Sequence, residues 1–94
     1  MAQDDVVLVG SKGVARYVMA CLYKLFVEGR RSVRLAALGK NIYRAVHAAT
    51  GVQHLLKEVY TSSIRLSTVQ FYSEGRTRRV SRIEIELRLR DLVP

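Results

Sequence analysis

A chain of 94 residues holds one small domain, and its sixteen Lys and Arg against eight Asp and Glu leave a formal charge of +8. That balance disfavours basic partners and points to a polyanion, nucleic acid before an anionic membrane surface. A single cysteine, Cys21, excludes an internal disulfide framework and fits a reducing compartment, and no apolar run approaches the ~18 residues of a membrane span.

The start, Met1-Ala2-Gln3-Asp4-Asp5, is acidic, unlike the basic start of a signal peptide, and residues 1–4 are expected to form a disordered tail. Val6, Val7, Leu8 and Val9 make a continuous apolar run ended by Gly10, which predicts a first strand in the interior of a sheet. Residues 10–13, Gly-Ser-Lys-Gly, predict a turn. The period then becomes helical: Val14, Tyr17, Val18, Cys21, Leu22, Leu25 and Phe26 form one buried stripe. Ser11 is a candidate N-cap and Gly29 a candidate C′ residue. Ser32–Leu38 predicts a second strand, broken by Gly39. Lys40 and Asn41 lead into a second helix whose stripe runs through Ile42, Ala45, Val46, Ala49, Val52, Leu56 and Val59. Gly51 lies inside that helix at a cost of about 1 kcal/mol against Ala. Thr61, Ser62 and Ser63 are expected to connect it to a C-terminal hairpin, residues 64–90.

That hairpin carries the clearest periodicity. Ile83, Ile85, Leu87 and Leu89 alternate with Arg82, Glu84, Glu86, Arg88 and Arg90, the pattern of a half-buried strand. Gly75 supplies the positive φ for a tight reversal at residues 73–76. Arg76, Arg78 and Arg79 crowd the tip, with Glu74 the only acid nearby. The expected fold is α+β, a two-layer β-α-β-α-β-β sandwich with both helices on one face of a four-stranded mixed sheet. A right-handed first βαβ unit and an extended C-terminal β-hairpin arm complete it. A domain this small gains by burying more surface in a dimer, expected on the second helix and residues 83–89.

Chemistry-bearing residues are few. Residues 10–13 lie between a strand and a helix, where backbone N–H groups attract phosphate and Lys12 adds charge. The spacing is not that of a P-loop. It matches the Gly-x-x-Gly of an RNA-binding KH domain, although that loop joins two helices. Gly39-Lys40 repeats the arrangement. Lys12, Arg16, Lys40 and Arg44 stand at helix starts, where a cation opposes the helix dipole unless an anion joins it. Lys24 and Arg34 read as ordinary solvated side chains. His47 and His54 share a helix face but lie ~10 Å apart along it, too far for one metal. Cys21 falls on a buried stripe and reads as core. Glu84 and Glu86 alternate with arginines and read as surface ion pairs rather than acid–base groups. No catalytic set, metal site or cofactor is expected, and no enzyme.

Three stretches together resemble the Alba family of small basic chromatin proteins: Val6-Val7-Leu8-Val9-Gly10-x-Lys12, then Gly39-Lys40-x-Ile42-x-Arg44-Ala45-Val46, then Gly75-Arg76-x-x-Arg79-Val80-Ser81-x-Ile83-Glu84-Ile85. The resemblance spans residues 5–90. It implies a dimer that binds double-stranded DNA, and also RNA, without marked sequence preference. Lys12 would be a central contact in the dimer body, and the hairpin arms would follow the minor groove. Three positions depart from the family pattern. Its first loop carries two lysines and a proline, where this chain has Ser11, Lys12 and Gly13. The family's proposed acetylation switch acts on the lysine replaced by Ser11. The basic residue before the second glycine is Leu38.

The sequence thus predicts a single domain over residues 1–94 that coats or bridges DNA, with Lys12, Arg16, Lys40, Arg44, Arg76, Arg78 and Arg79 as the nucleic-acid-binding residues. The expected state is a homodimer or a heterodimer with a paralogue, chromosome-associated in the cytoplasm and with no membrane partner. The alternative is a primarily RNA-binding protein of ribonuclease P or ribosome-associated type.

Overall fold

The structure is a computed structural model and describes residues 5–91; the expected tail, residues 1–4, lies outside them. The elements are β1 (Val6–Val9), α1 (Val14–Leu22) continued by a π-helical turn (Tyr23–Val27), β2 (Ser32–Leu38), a 3-10 turn (Gly39–Asn41), α2 (Ile42–Leu55), β3 (Val59–Ser73) and β4 (Arg76–Leu89). The sheet order is β1-β2-β4-β3, with β1 and β2 parallel and the other pairs antiparallel. Alternate residues of three strands (Val7 and Val9; Val33, Leu35 and Ala37; Ile83, Ile85 and Leu87) join Tyr17, Cys21, Leu25, Ala45, Ala48, Ala49 and Val52 in one core. Both helices therefore cover the same face of a mixed four-stranded sheet, the expected α+β architecture.

Gly51 has a packing reason. A Cβ there would stand 3.1 Å from Val18 Cγ2, so the glycine lets α1 and α2 approach closely. Cys21 is fully buried, and that burial pushes its thiol up to about 12 against the pull of Lys24. The thiol stays neutral and packs as a small hydrophobe.

Several local readings are corrected. β1 lies at the sheet edge, not in the interior, and Leu8 is 77% exposed on the face opposite the helices. A continuous apolar run does not distinguish two covered faces from one. α1 begins after Gly13 with no side-chain cap, so Ser11 does not cap it. Phe26 leaves the buried stripe because the helix widens: Glu28 N–H reaches back five residues to the Tyr23 carbonyl at 3.0 Å. Gly29, at φ 71°, ends that turn as expected. α2 stops at Leu55. Val59, read as helical, opens β3 instead, and Thr61, Ser62 and Ser63 are strand rather than connection.

The β3 boundary has a structural consequence. Thr61 pairs with Leu87 and Ser63 with Glu86, so Ser62 is a bulge. Its hydroxyl donates to the Glu86 carboxylate at 2.5 Å. The extra residue flips the parity of β3. Ile64 and Leu66, opposite Ile85 and Ile83, then lie on the helix side of the sheet, beyond the cover of α2, and both are exposed.

The part of the hairpin that is free of the sheet is shorter than the predicted arm, residues 64–90. β2 leaves β4 at the Leu38–Arg82 pair, yet β3 and β4 stay paired out to Ser73–Arg76. At ~3.3 Å per residue the free ribbon projects roughly 20 Å. The molecule measures 57 Å along its long axis and 25 Å across.

Candidate nucleic-acid interface

β1 and β2 run side by side with Val9 opposite Ala37, so the turns that follow them emerge at one end of the sheet. The arm leaves the sheet at the same end, where Arg82 pairs with Leu38. Leu8, Leu38, Asn41, Val69 and Arg82 line an open cleft of about 360 Å³ there. Gly39 sits at φ 53°, and a Cβ on it would stand 3.1 Å from Val80 Cγ1. Any side chain at this position strains the backbone and presses on the root of the arm.

Lys12 and Lys40 are exposed on the two turns. Arg44 is held: its Nη1 donates to Asn41 Oδ1 at 2.8 Å, and its Cζ lies 4.7 Å from the Tyr43 ring centroid. Arg16 is exposed in the first turn of α1, where it lines an apolar groove with Met19 and Tyr23. Arg76, Arg78 and Arg79 are exposed at the tip, which turns through Glu74 and Gly75 at φ 52° and 73°. Two successive positive φ values define a type I′ reversal. The fold therefore gathers Lys12, Lys40 and Arg44 around one end of the sheet, with Arg16 beside them, and carries the other three outward on the arm.

Four of the acids are engaged in ion pairs away from these residues. Glu28 pairs with Lys24 at 3.8 Å and Arg30 at 3.0 Å, Asp5 with Arg34 at 3.4 Å, and Asp91 with Arg31. Glu84 pairs with Arg82 at 2.5 Å and Arg65 at 3.8 Å. Lys24 and Arg34, read as solvated, are thus ion-paired. None of the seven predicted binding residues takes part in an ion pair among the described residues. Neither helix start offers an acid or a side-chain cap. Lys57, Arg88 and Arg90 share that lack of an ion pair among the described residues, so it is the grouping of the seven around the turns and on the arm that sets them apart.

One expectation about the first turn is revised. The Tyr17 hydroxyl accepts the N–H of Gly10 at 2.9 Å and that of Lys12 at 3.0 Å. Those two N–H groups are occupied and do not cradle phosphate, which leaves the Lys12 ammonium as the turn's main contribution. Tyr17 is buried in the core, so its ring ties the turn to the body of the domain. A tyrosine on a buried stripe requires a partner for its oxygen, and that was the signal in the sequence. Tyr17→Phe should keep the ring in place, cost about 1 kcal/mol, and speed amide exchange at Gly10 and Lys12.

His47 stacks edge-on with Tyr43 at 5.9 Å between centroids, with no metal-type neighbours. Among the described residues no group of three or more His, Cys, Asp or Glu is placed to hold a metal, and no helix is long and apolar enough to cross a membrane.

A family model described as Alba matches residues 5–68. Over 90 residues the chain is 41% identical to the DNA/RNA-binding protein Alba of Methanocella arvoryzae, covering 94% of this chain and 93% of that protein. Over 88 residues it is 42% identical to the DNA/RNA-binding protein Alba 1 of Archaeoglobus fulgidus, covering 93% and 97%. The solved structure of Alba from Thermoplasma volcanium is similar with a TM-score of 0.79 and 31% identity, over 88% of this chain and 98% of that one. The two sequence relatives are named for binding DNA and RNA.

Proposed function

The chain belongs to the Alba family, and from that premise we propose that it is an architectural protein that coats or bridges double-stranded DNA as a dimer. The observation that carries this reading is the set of un-neutralised cations around two turns at one end of the sheet and on a projecting arm. Phosphate neutralisation with counterion release supplies the affinity, so binding is strong at low salt and largely indifferent to sequence. Lys12, Arg16, Lys40 and Arg44 meet the backbone from the domain body. Arg76, Arg78 and Arg79 reach the minor groove, where base information is degenerate and the arginine fork meets phosphate oxygens in pairs. The protein acts on the chromosome, in the cytoplasm.

RNA is the second ligand, since the relatives are named for both nucleic acids. Competition between matched DNA and RNA duplexes decides which is preferred; a clear win for RNA replaces the chromosomal reading with the RNA-binding one. Lys12→Ala should weaken both alike and leave the melting temperature nearly unchanged. Tyr17→Phe should weaken binding by less, and add nothing in the Lys12→Ala background, because it acts by placing that lysine. Normal binding by Lys12→Ala would make the turn purely structural.

The dimer is best supported on the surface created by the bulge. Ile64 is 59% exposed, Leu66 73% and Val46 40%. Val46 shares the α2 flank of Gln53, seven residues on, whose Oε1 accepts from Thr61 Oγ1 of β3 at 3.0 Å. These apolar side chains thus form one patch along the α2–β3 seam, and an exposed contiguous apolar patch marks an interface. Of the expected residues 83–89, Ile83, Ile85 and Leu87 are buried within the domain itself, which favours the α2–β3 surface instead. Leu66→Asp should yield a folded monomer by light scattering; a dimer of unchanged mass counts against this surface.

A further inference from the structure

We propose that the arm tip is a binding site for unpaired nucleobases, with Phe71 and Tyr72 as stacking platforms and Arg76, Arg78 and Arg79 as clamps on the flanking phosphates. This rests on the nucleic-acid reading above and goes beyond it by assigning single-stranded stretches to a part of the molecule that phosphate contacts alone do not require.

The two aromatic residues are adjacent in β3, so they point to opposite faces of the ribbon. Among the described residues no other strand pairs with that ribbon, which β2 leaves at Arg82. Tyr72 is 79% exposed, the highest value among the exposed large apolar side chains of the described residues, and Phe71 is 43% exposed. The register supplies each ring with arginine on its own face. Phe71 stands opposite Arg78, with Arg76 diagonal to it; Tyr72 stands opposite Thr77, with Arg79 diagonal. Each face of the tip therefore combines one ring with at least one guanidinium, the pairing that single-strand binding uses: a ring for the base and a cation for the phosphate. A lone exposed aromatic is unremarkable in a strand, where it raises β-propensity. Two in succession, at the end farthest from the core and among three arginines with no ion pair among the described residues, do nothing for the core and are free to meet a ligand.

Duplex DNA is the less suitable ligand for the rings. A ring enters a duplex only by parting a base step, which costs stacking, whereas an unpaired base has no stacking to surrender. The arginines serve both forms; the rings distinguish them.

The test uses the full chain with an oligothymidylate and a mixed-sequence duplex of the same length. Replacing Phe71→Leu and Tyr72→Leu together keeps apolar strand residues and every charge. Affinity for the single strand should fall at least about thirtyfold, as expected when two base stacks are removed, while duplex affinity and its salt slope stay within about threefold of the unmodified protein. Tyr72→Trp should retain single-strand binding. Because the chain has no tryptophan, its fluorescence reports on the tip alone and should be quenched by the oligothymidylate. A double variant that binds the single strand normally overturns the proposal, as does one that loses duplex affinity equally, which would make the rings duplex wedges. In either case duplex binding by the unmodified protein still upholds the broader function, and its absence at low salt would instead remove that function.

Discussion

With Arg76, Arg78 and Arg79 replaced together by alanine, the slope of log affinity against log salt on duplex DNA should fall by about 2.7 per arm, or about 5 for a dimer, at ~0.9 for each phosphate no longer neutralised. That figure is an upper bound, because it assigns every guanidinium a phosphate. The fold should be unaffected. All three side chains are exposed and none takes part in an ion pair among the described residues, so nothing in the domain depends on them. At moderate salt the variant should bind weakly and still show no sequence preference. A slope equal to that of the unmodified protein would mean that the arm does not touch the backbone.

Leu87→Asp should abolish the fold rather than the assembly. Leu87 is fully buried in the middle of β4, between Val33 of β2 and Thr61 of β3. A carboxylate there has no cation beside it in the core and must be desolvated or protonated, at a cost of several kcal/mol. A domain of this size has roughly 5–15 kcal/mol of stability in total, so the loss is decisive. Circular dichroism should show an unfolded or molten chain at room temperature. Leu66→Asp, closer to the tip and exposed, should remain folded, and the contrast separates core from interface on the same sheet face.

Which features were legible follows from how far each signal reaches along the chain. The alternation of Ile83, Ile85, Leu87 and Leu89 has period two and needs no partner to be read, and it is the strand that holds the sheet together between β2 and β3. Gly75 and Gly29 announce their turns because only a residue without Cβ adopts their φ freely. Strand–turn–helix order put Lys12 and Lys40 each at a helix start, and the parallel pairing of β1 with β2 brings those two turns to one end. The missed features depend on other elements. The bulge at Ser62 is defined against β4, and without it the exposed side of Ile64 and Leu66 cannot be assigned. The widened turn at Tyr23–Val27 changes the helical period after the stripe has been read, and so misplaces Phe26. The edge position of β1 was not legible because a run of four apolar residues reads alike at an edge and in an interior. The hydroxyl of Tyr17 and the rings of Phe71 and Tyr72 were visible as residue types, but their roles needed the turn and the bare ribbon around them.

The central claim is that un-neutralised cations bind the phosphate backbone, and the salt dependence of duplex binding by the unmodified protein tests it most directly. Binding should be measured on two DNA duplexes of equal length and unrelated sequence across about 50 to 200 mM salt, where roughly six to ten neutralised phosphates predict a fall of about 10³ to 10⁵ in affinity. The predicted result is a steep linear log–log plot with the same slope for both sequences and affinities within a few-fold of each other. A flat plot, or affinities that differ by orders of magnitude between the two sequences, would contradict it.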